Sequence, residues 1–280
     1  MQYRISLHKI SKKDKFTFEP VEYSKFKFGD DCIAEKYGTS LAKSFIESYL
    51  IKNPIINQIV VISSPYSFIP TATFAMKNYF VFEINKWLAD NDYPVVQETK
   101  IHRTITYKED YGELNAADRL KLIGNDQFLI DSKFIENKTL IFLDDIKITG
   151  GHEKMITKMI DNYGIKNDFF LLYFAELTNK EIDPKIENFL NYSFVKSISD
   201  LNKIISCKRF AVNTRIVKYI LNYEIKEFKN FITNQTNDFI NLIYNMALGN
   251  NYHNIDAYSH NLQYLKEIIN HENKKTSNGY

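Results

Sequence analysis

The sequence predicts an α/β fold, a mostly parallel sheet flanked by helices, with an α-helical C-terminal extension. Three observations predict it. Short apolar runs rich in β-branched and aromatic residues recur between residues 58 and 174, longer segments with apolar residues at helical spacing separate them, and after about Ser199 only the helical spacing continues. Strand and helix patterns that alternate in this way argue for parallel strands, because each crossover must carry the chain back over the sheet.

The strand patterns are Gln58 to Ser63, Val95 to Ile101, Thr139 to Leu143 and Phe169 to Phe174. Each is too short for a helix and reads as a buried strand. The helical patterns are Cys32 to Leu50, Ile69 to Ala89 and Glu153 to Tyr163, the last stopping at Gly164 as a C′ residue. The first 30 residues carry no pattern that assigns an element. Arg103 to Asp118 is polar, contains Gly112 and follows neither period, so it reads as a long mobile loop. In the extension, apolar residues recur at helical spacing in Ile216, Ile220 and Tyr223, in Phe239, Ile243 and Met246, and in Leu262, Leu265 and Ile269. The polar end, Asn270 to Tyr280, reads as frayed. The expected division is an α/β domain over residues 1–198 and a helical extension over residues 199–280.

With 36 Lys plus Arg against 34 Asp plus Glu, the chain lacks the global basic field on which non-specific nucleic-acid binding rests. Cys32 and Cys207 are too few and too far apart in sequence for a disulfide framework or a Cys-rich zinc site, which suits a reducing compartment. The N-terminus lacks the apolar core of a signal peptide, and no apolar run approaches the roughly 20 residues that span a bilayer. A cytoplasmic protein without a membrane segment is the expectation.

The informative segment is Thr139-Leu140-Ile141-Phe142-Leu143-Asp144-Asp145-Ile146-Lys147-Ile148-Thr149-Gly150-Gly151-His152-Glu153. An apolar strand runs into two carboxylates, then a turn with two glycines, then a helix whose first-turn amides lack intrahelical partners. Those amides and the positive end of the helix dipole suit a phosphate, and glycine lets the backbone approach it. Carboxylates at the strand's end suit a ribose diol, directly or through hydrated Mg²⁺. One short loop can therefore hold both ends of a sugar phosphate.

This segment resembles the signature of type I phosphoribosyltransferases that binds phosphoribosyl diphosphate (PRPP). Asp144 and Asp145 match its acidic pair, Ile146 the apolar residue after it, and Thr149 and Gly150 its central Thr-Gly. Ile148 stands where the family commonly has Thr, and His152 where it commonly has Thr or Ser. The order of the remaining signals is similar to that of ComF-like members over roughly residues 30 to 175. A turn at Ser63, Ser64 and Tyr66 stands at the pyrophosphate position, Lys100, His102 and Arg103 end the next strand, and the polar loop leads to Arg119.

The resemblance implies roles for these residues. Asp144, Asp145, Arg103 and Arg119 are the expected catalytic set, with Mg²⁺ held by both aspartates through water. Ile148, Thr149, Gly150, Gly151 and His152 are expected to cradle the 5-phosphate, and Ser63, Ser64, Tyr66 and Lys100 the diphosphate. The expected reaction is transfer of a 5-phosphoribosyl group to or from a nitrogenous base, with release of pyrophosphate. The alternatives are a non-catalytic module that senses PRPP or a nucleotide, and a nucleotide-processing enzyme of a stress or defence pathway. The stripes of the extension need a partner surface, either on the α/β domain or in a homo-oligomer or protein partner.

Overall fold

A computed structural model describes residues 1–54, 57–103 and 128–277. Strands β1 (Gln2–Ile10), β2 (Ile59–Ser63), β3 (Gln97–Lys100), β6 (Thr139–Lys147) and β7 (Phe169–Leu177) form one sheet in the order β1-β7-β6-β2-β3. Every pairing in it is parallel. Two short strands, β4 (His102–Arg103) and β5 (Phe128–Leu129), pair antiparallel beside it. The predicted mobile loop beyond Arg103, and Arg119 with it, lies outside the described residues.

The apolar runs of β2, β6 and β7 arise because both faces of the sheet are covered. Helices α1 (Pro20–Lys27), α2 (Asp31–Phe45) and α3 (Ala72–Asp90) bring Phe26, Leu41, Phe45, Met76 and Phe80 onto Val61, Ile141, Leu143, Phe170 and Leu172. On the other face, after the single turn α4 (Ser132–Ile135), α5 (Gly151–Asn162) brings Met155, Ile156, Met159 and Ile160 onto Val60, Ile62, Leu140, Phe142 and Leu171. Strand β1, which the sequence reading left unassigned, is an edge strand. Its signal is the alternation of Tyr3, Ile5 and Leu7, all partly buried against the first cluster, and the polar residues between them hide it from a search for apolar runs.

The helix predicted over Cys32 to Leu50 is α-helical to Phe45 and continues as a π-turn over Ile46–Leu50. Asp30 caps it, its side chain accepting from the Ile33 amide at 3.3 Å. The helix predicted from Ile69 begins at Ala72 instead, after Thr71 in an extended conformation. Ile69 and Pro70 are held elsewhere, as described below. Helix α5 ends as predicted, with Gly164 left-handed at φ 60°.

Beyond β7 come α6 (Ile186–Asn191), α7 (Leu201–Ile205), α8 (Thr214–Leu221), α9 (Ile225–Ile232), α10 (Asn237–Gly249) and α11 (Asp256–Ser277). The chain is helical to Ser277, not frayed from Asn270. The predicted stripes pack on one another: Ile216, Ile220, Phe239, Ile243, Leu262 and Leu265 are buried in one cluster, with Tyr223, Met246 and Ile269 against it. Phe28 and Ile69, from the first part of the chain, are also buried in that cluster, both at 0% exposure. The helical core thus takes in two residues from beside the sheet.

Candidate functional site

Strand β6 runs four residues further than predicted. It pairs with β2 as far as Ser63↔Leu143, then with β7 alone to Lys147↔Glu176. Asp144 and Asp145 therefore lie where the sheet has lost one neighbour, at the carboxyl ends of the strands, where open parallel sheets bind ligands. Successive strand residues point to opposite faces, and the two aspartates accordingly meet largely different partners, with the Thr73 hydroxyl shared, 3.4 Å from Asp144 Oδ1 and 3.0 Å from Asp145 Oδ1.

Asp144 faces α5. Its Oδ1 accepts from the Ser64 hydroxyl at 2.7 Å and the Asp145 amide at 3.0 Å, and its Oδ2 lies 2.7 Å from His152 Nδ1. Burial would raise its pKa, but His152, the Ser64 hydroxyl and Lys27 more than offset that and hold it well below the usual carboxylate range. Asp145 faces α1 and α3. Its Oδ2 accepts from the Tyr23 hydroxyl at 2.6 Å and pairs with the Lys27 ammonium, and its Oδ1 accepts from Thr73 Oγ1 at 3.0 Å. Burial, then Asp145, push the Tyr23 phenol far up, so it stays a proton donor. Tyr23, Lys27 and Thr73 escaped the sequence reading. Only the four-residue spacing of Tyr23 and Lys27, which aims both at one point from one helix face, could have hinted at them.

Between β6 and α5, Ile148 packs against the core, Thr149 is exposed, and Gly150 is left-handed at φ 72°. Gly150 takes this conformation without the Cβ penalty of other residues, and its carbonyl receives the first helical bond, from Lys154 at 3.0 Å. His152 turns back to Asp144 and stacks edge-on against Phe128 at 5.3 Å, and its shielded Nε2 has no partner among the described residues. Lys147 pairs with Glu176 at 2.8 Å and Glu153 at 3.2 Å, and Arg4 also pairs with Glu153. This network fastens the start of α5 to the sheet.

At the end of β2, Ser63 is buried within the strand and Ser64 is bonded to Asp144. Lys100 and Tyr66 meet each other, the ammonium 4.9 Å from the ring centroid. Arg103 ends β4. The segment leading into α3 is tied to the helical core: Phe68 and Ile69 donate their amides to Asn250 Oδ1, and Thr214 donates to the Ile69 and Pro70 carbonyls at 2.8 and 3.1 Å. A groove of about 370 Å³ opens next to this segment, lined by Asp30, Thr71, Phe74, Asn78, Tyr79 and Phe82 among others. The Thr71 hydroxyl there is shielded and has no partner among the described residues.

For a metal the two aspartates differ. Asp145 is 5% exposed and has three of its roughly four acceptor positions filled. The Asp144 side chain is 17% exposed against 7% for Asp145, but it too is occupied, by Ser64, the Asp145 amide, His152 and, at 3.4 Å, Thr73, so exposure and not free acceptor positions distinguishes it. Among the described residues no three or more His, Cys, Asp or Glu side chains converge to hold an ion directly. No helix among them is long and apolar enough to cross a membrane.

A parallel sheet flanked by helices, with an acidic pair near the carboxyl end of a strand that leads into a Gly-led helix, is the arrangement of the phosphoribosyltransferase-like class. The profile of the ComF-like phosphoribosyltransferases matches residues 1–265, and the chain belongs to that family. The match takes in the helical extension, which the sequence resemblance left out. No curated protein matches the chain. Among solved structures it is similar to a hypoxanthine phosphoribosyltransferase from Staphylococcus aureus at 14% identity and TM-score 0.33, over 51% of this chain and 74% of that one. The enzymes of Trypanosoma cruzi (17% identity, TM-score 0.29, 55% and 80% covered) and L. donovani (16%, 0.30, 52% and 68%) are similar to the same degree.

Proposed function

We propose that the chain binds PRPP and transfers its 5-phosphoribosyl group to a nitrogenous base, or runs that reaction in reverse. The observation that carries the reading is the acidic pair at the end of β6, one turn before the left-handed Gly150 and the first amides of α5. In this reading Asp144 accepts hydrogen bonds from the ribose diol. The backbone of Thr149 to His152 and the positive end of α5 receive the 5-phosphate. Ile148 and His152 supply no hydroxyl, so this contact is made by amides.

The base nitrogen attacks the anomeric carbon from the face opposite the diphosphate. The bond from that carbon to the diphosphate oxygen breaks, its electron pair leaves with pyrophosphate, and the proton of the base nitrogen passes to solvent. Negative charge grows on the leaving oxygens, where Lys100, Arg103 and Arg119 are assigned to meet it. Mg²⁺ would be held at Asp144 and would neutralise part of the diphosphate charge. The groove beside α3 is assigned to the base, since its aromatic faces suit a planar ring and Thr71, Asn78 and Asp30 offer donors and acceptors. The separate helical core supports a division into an α/β domain and a helical extension, although Val195 and Ile198, before the proposed boundary at residue 198, already belong to that core.

The test is direct: PRPP and Mg²⁺ with a panel of bases, and pyrophosphate release followed by phosphorus NMR. PRPP binding without release for any base would favour the second reading, a PRPP or nucleotide sensor. That reading draws support from the enclosure of Asp145 and from the absence of hydroxyls at positions 148 and 152.

A further inference from the structure

The adjacent aspartates divide their work. Asp144 keeps a partly exposed carboxylate held by Ser64, His152, the Asp145 amide and, at 3.4 Å, the Thr73 hydroxyl that also reaches Asp145. Asp145 is enclosed by the Tyr23 hydroxyl, the Lys27 ammonium and the Thr73 hydroxyl. The Lys27 side chain is 12% exposed and that of Asp145 7%. Lys27 is fixed at both ends, since its carbonyl also accepts from Asn213 at 3.1 Å. An ion pair so enclosed gains little stability, because desolvation offsets most of the attraction. What it does accomplish is to cancel one of two neighbouring negative charges beside a site for a polyanion.

We propose that Lys27 is a positioning residue, the resident counter-cation of Asp145, and that Asp144 alone is addressed to the ligand. The inference rests on the PRPP reading. Two uncompensated carboxylates side by side would repel a diphosphate, and a metal would have to neutralise both. With Lys27 on Asp145, the site meets PRPP carrying one net carboxylate, and binding depends less on Mg²⁺. Substitution of Lys27 should restore that dependence.

The test is PRPP titration of the full chain by calorimetry, in Mg²⁺ and in EDTA. The parent is expected to bind in both. Lys27→Met should weaken binding in EDTA by about tenfold or more, within the range of close charge pairs, and saturating Mg²⁺ should recover most of the loss. Lys27→Arg should resemble the parent. Lys27→Met combined with Asp145→Asn should bind in EDTA more tightly than Lys27→Met alone. Equal weakening with and without Mg²⁺, unrelieved by Asp145→Asn, would mark a merely structural role and overturn the proposal. Should Lys27→Met fail to fold, the parent decides, and binding in Mg²⁺ with none in EDTA overturns it. A parent that binds PRPP in neither buffer overturns the phosphoribosyl reading and this inference together.

Discussion

The side-chain carbonyl of Asn250, at the end of α10, accepts the backbone amide of Ile69 at 2.9 Å, and that of Phe68 at 2.8 Å. One residue of the helical extension thereby satisfies two donors in the segment between the turn at Ser63 to Tyr66 and α3, while Ile69 itself is buried in the helical core. Buried backbone donors without partners are costly, so the extension sets the shape of that segment. Asn250→Ala should cost about 1–3 kcal/mol, the penalty for a buried donor left unpaired, and should also weaken PRPP binding. Thermal unfolding with and without PRPP measures both, and an unchanged PRPP affinity in a destabilised variant would separate the extension from the site.

Asp144→Asn keeps the shape of the side chain but removes the charge that His152 and Ser64 address. PRPP with Mg²⁺ should raise the melting temperature of the parent, because a ligand that binds only the native state adds about RT ln(1 + [L]/Kd) to stability. That rise should be lost in Asp144→Asn. A variant that shows the parent's shift would place the ligand elsewhere.

Gly150→Ala introduces a Cβ at φ 72°, 3.4 Å from Lys147 Cε. The left-handed backbone alone should cost about 1–2 kcal/mol, and any relief by rotation would move the amides assigned to the 5-phosphate. Equilibrium unfolding should show the loss, with ribose 5-phosphate binding falling further than stability predicts.

Glu176 links the strand ends to the turn before α5 through Lys147. Burial would raise its pKa, but the Lys147 ammonium, the Ser6 hydroxyl and Arg4 together lower it from 4.5. Because the folded value is depressed, its contribution is present above the unfolded value of 4.5 and is lost as pH falls from there through the folded value. Glu176→Gln should therefore be less stable than the parent at neutral pH, with the gap closing as the solution is acidified below that point. A gap that stays constant across that range would contradict it.

Much of this was legible in the chain itself. The apolar runs of β2, β6 and β7, the helical stripes after Ser199, and the Asp-Asp to Gly-Gly turn are local patterns, and local patterns follow from strand and helix periodicity and from the backbone freedom of glycine. The edge strand β1 was harder to see because a strand with polar residues between its buried ones carries half the apolar signal. What only the tertiary structure decided is which groups converge. Tyr23 and Lys27 lie more than a hundred residues from Asp145, and Asn250 lies further still from Ile69. Such contacts are selected by the packing of whole helices, in which each side chain's position depends on every element beneath it, and no spacing along the chain encodes them. The two aspartates are neighbours in sequence, but the strand pleat sends one to α5 and the other to α1, and that divergence gave one of them a resident cation.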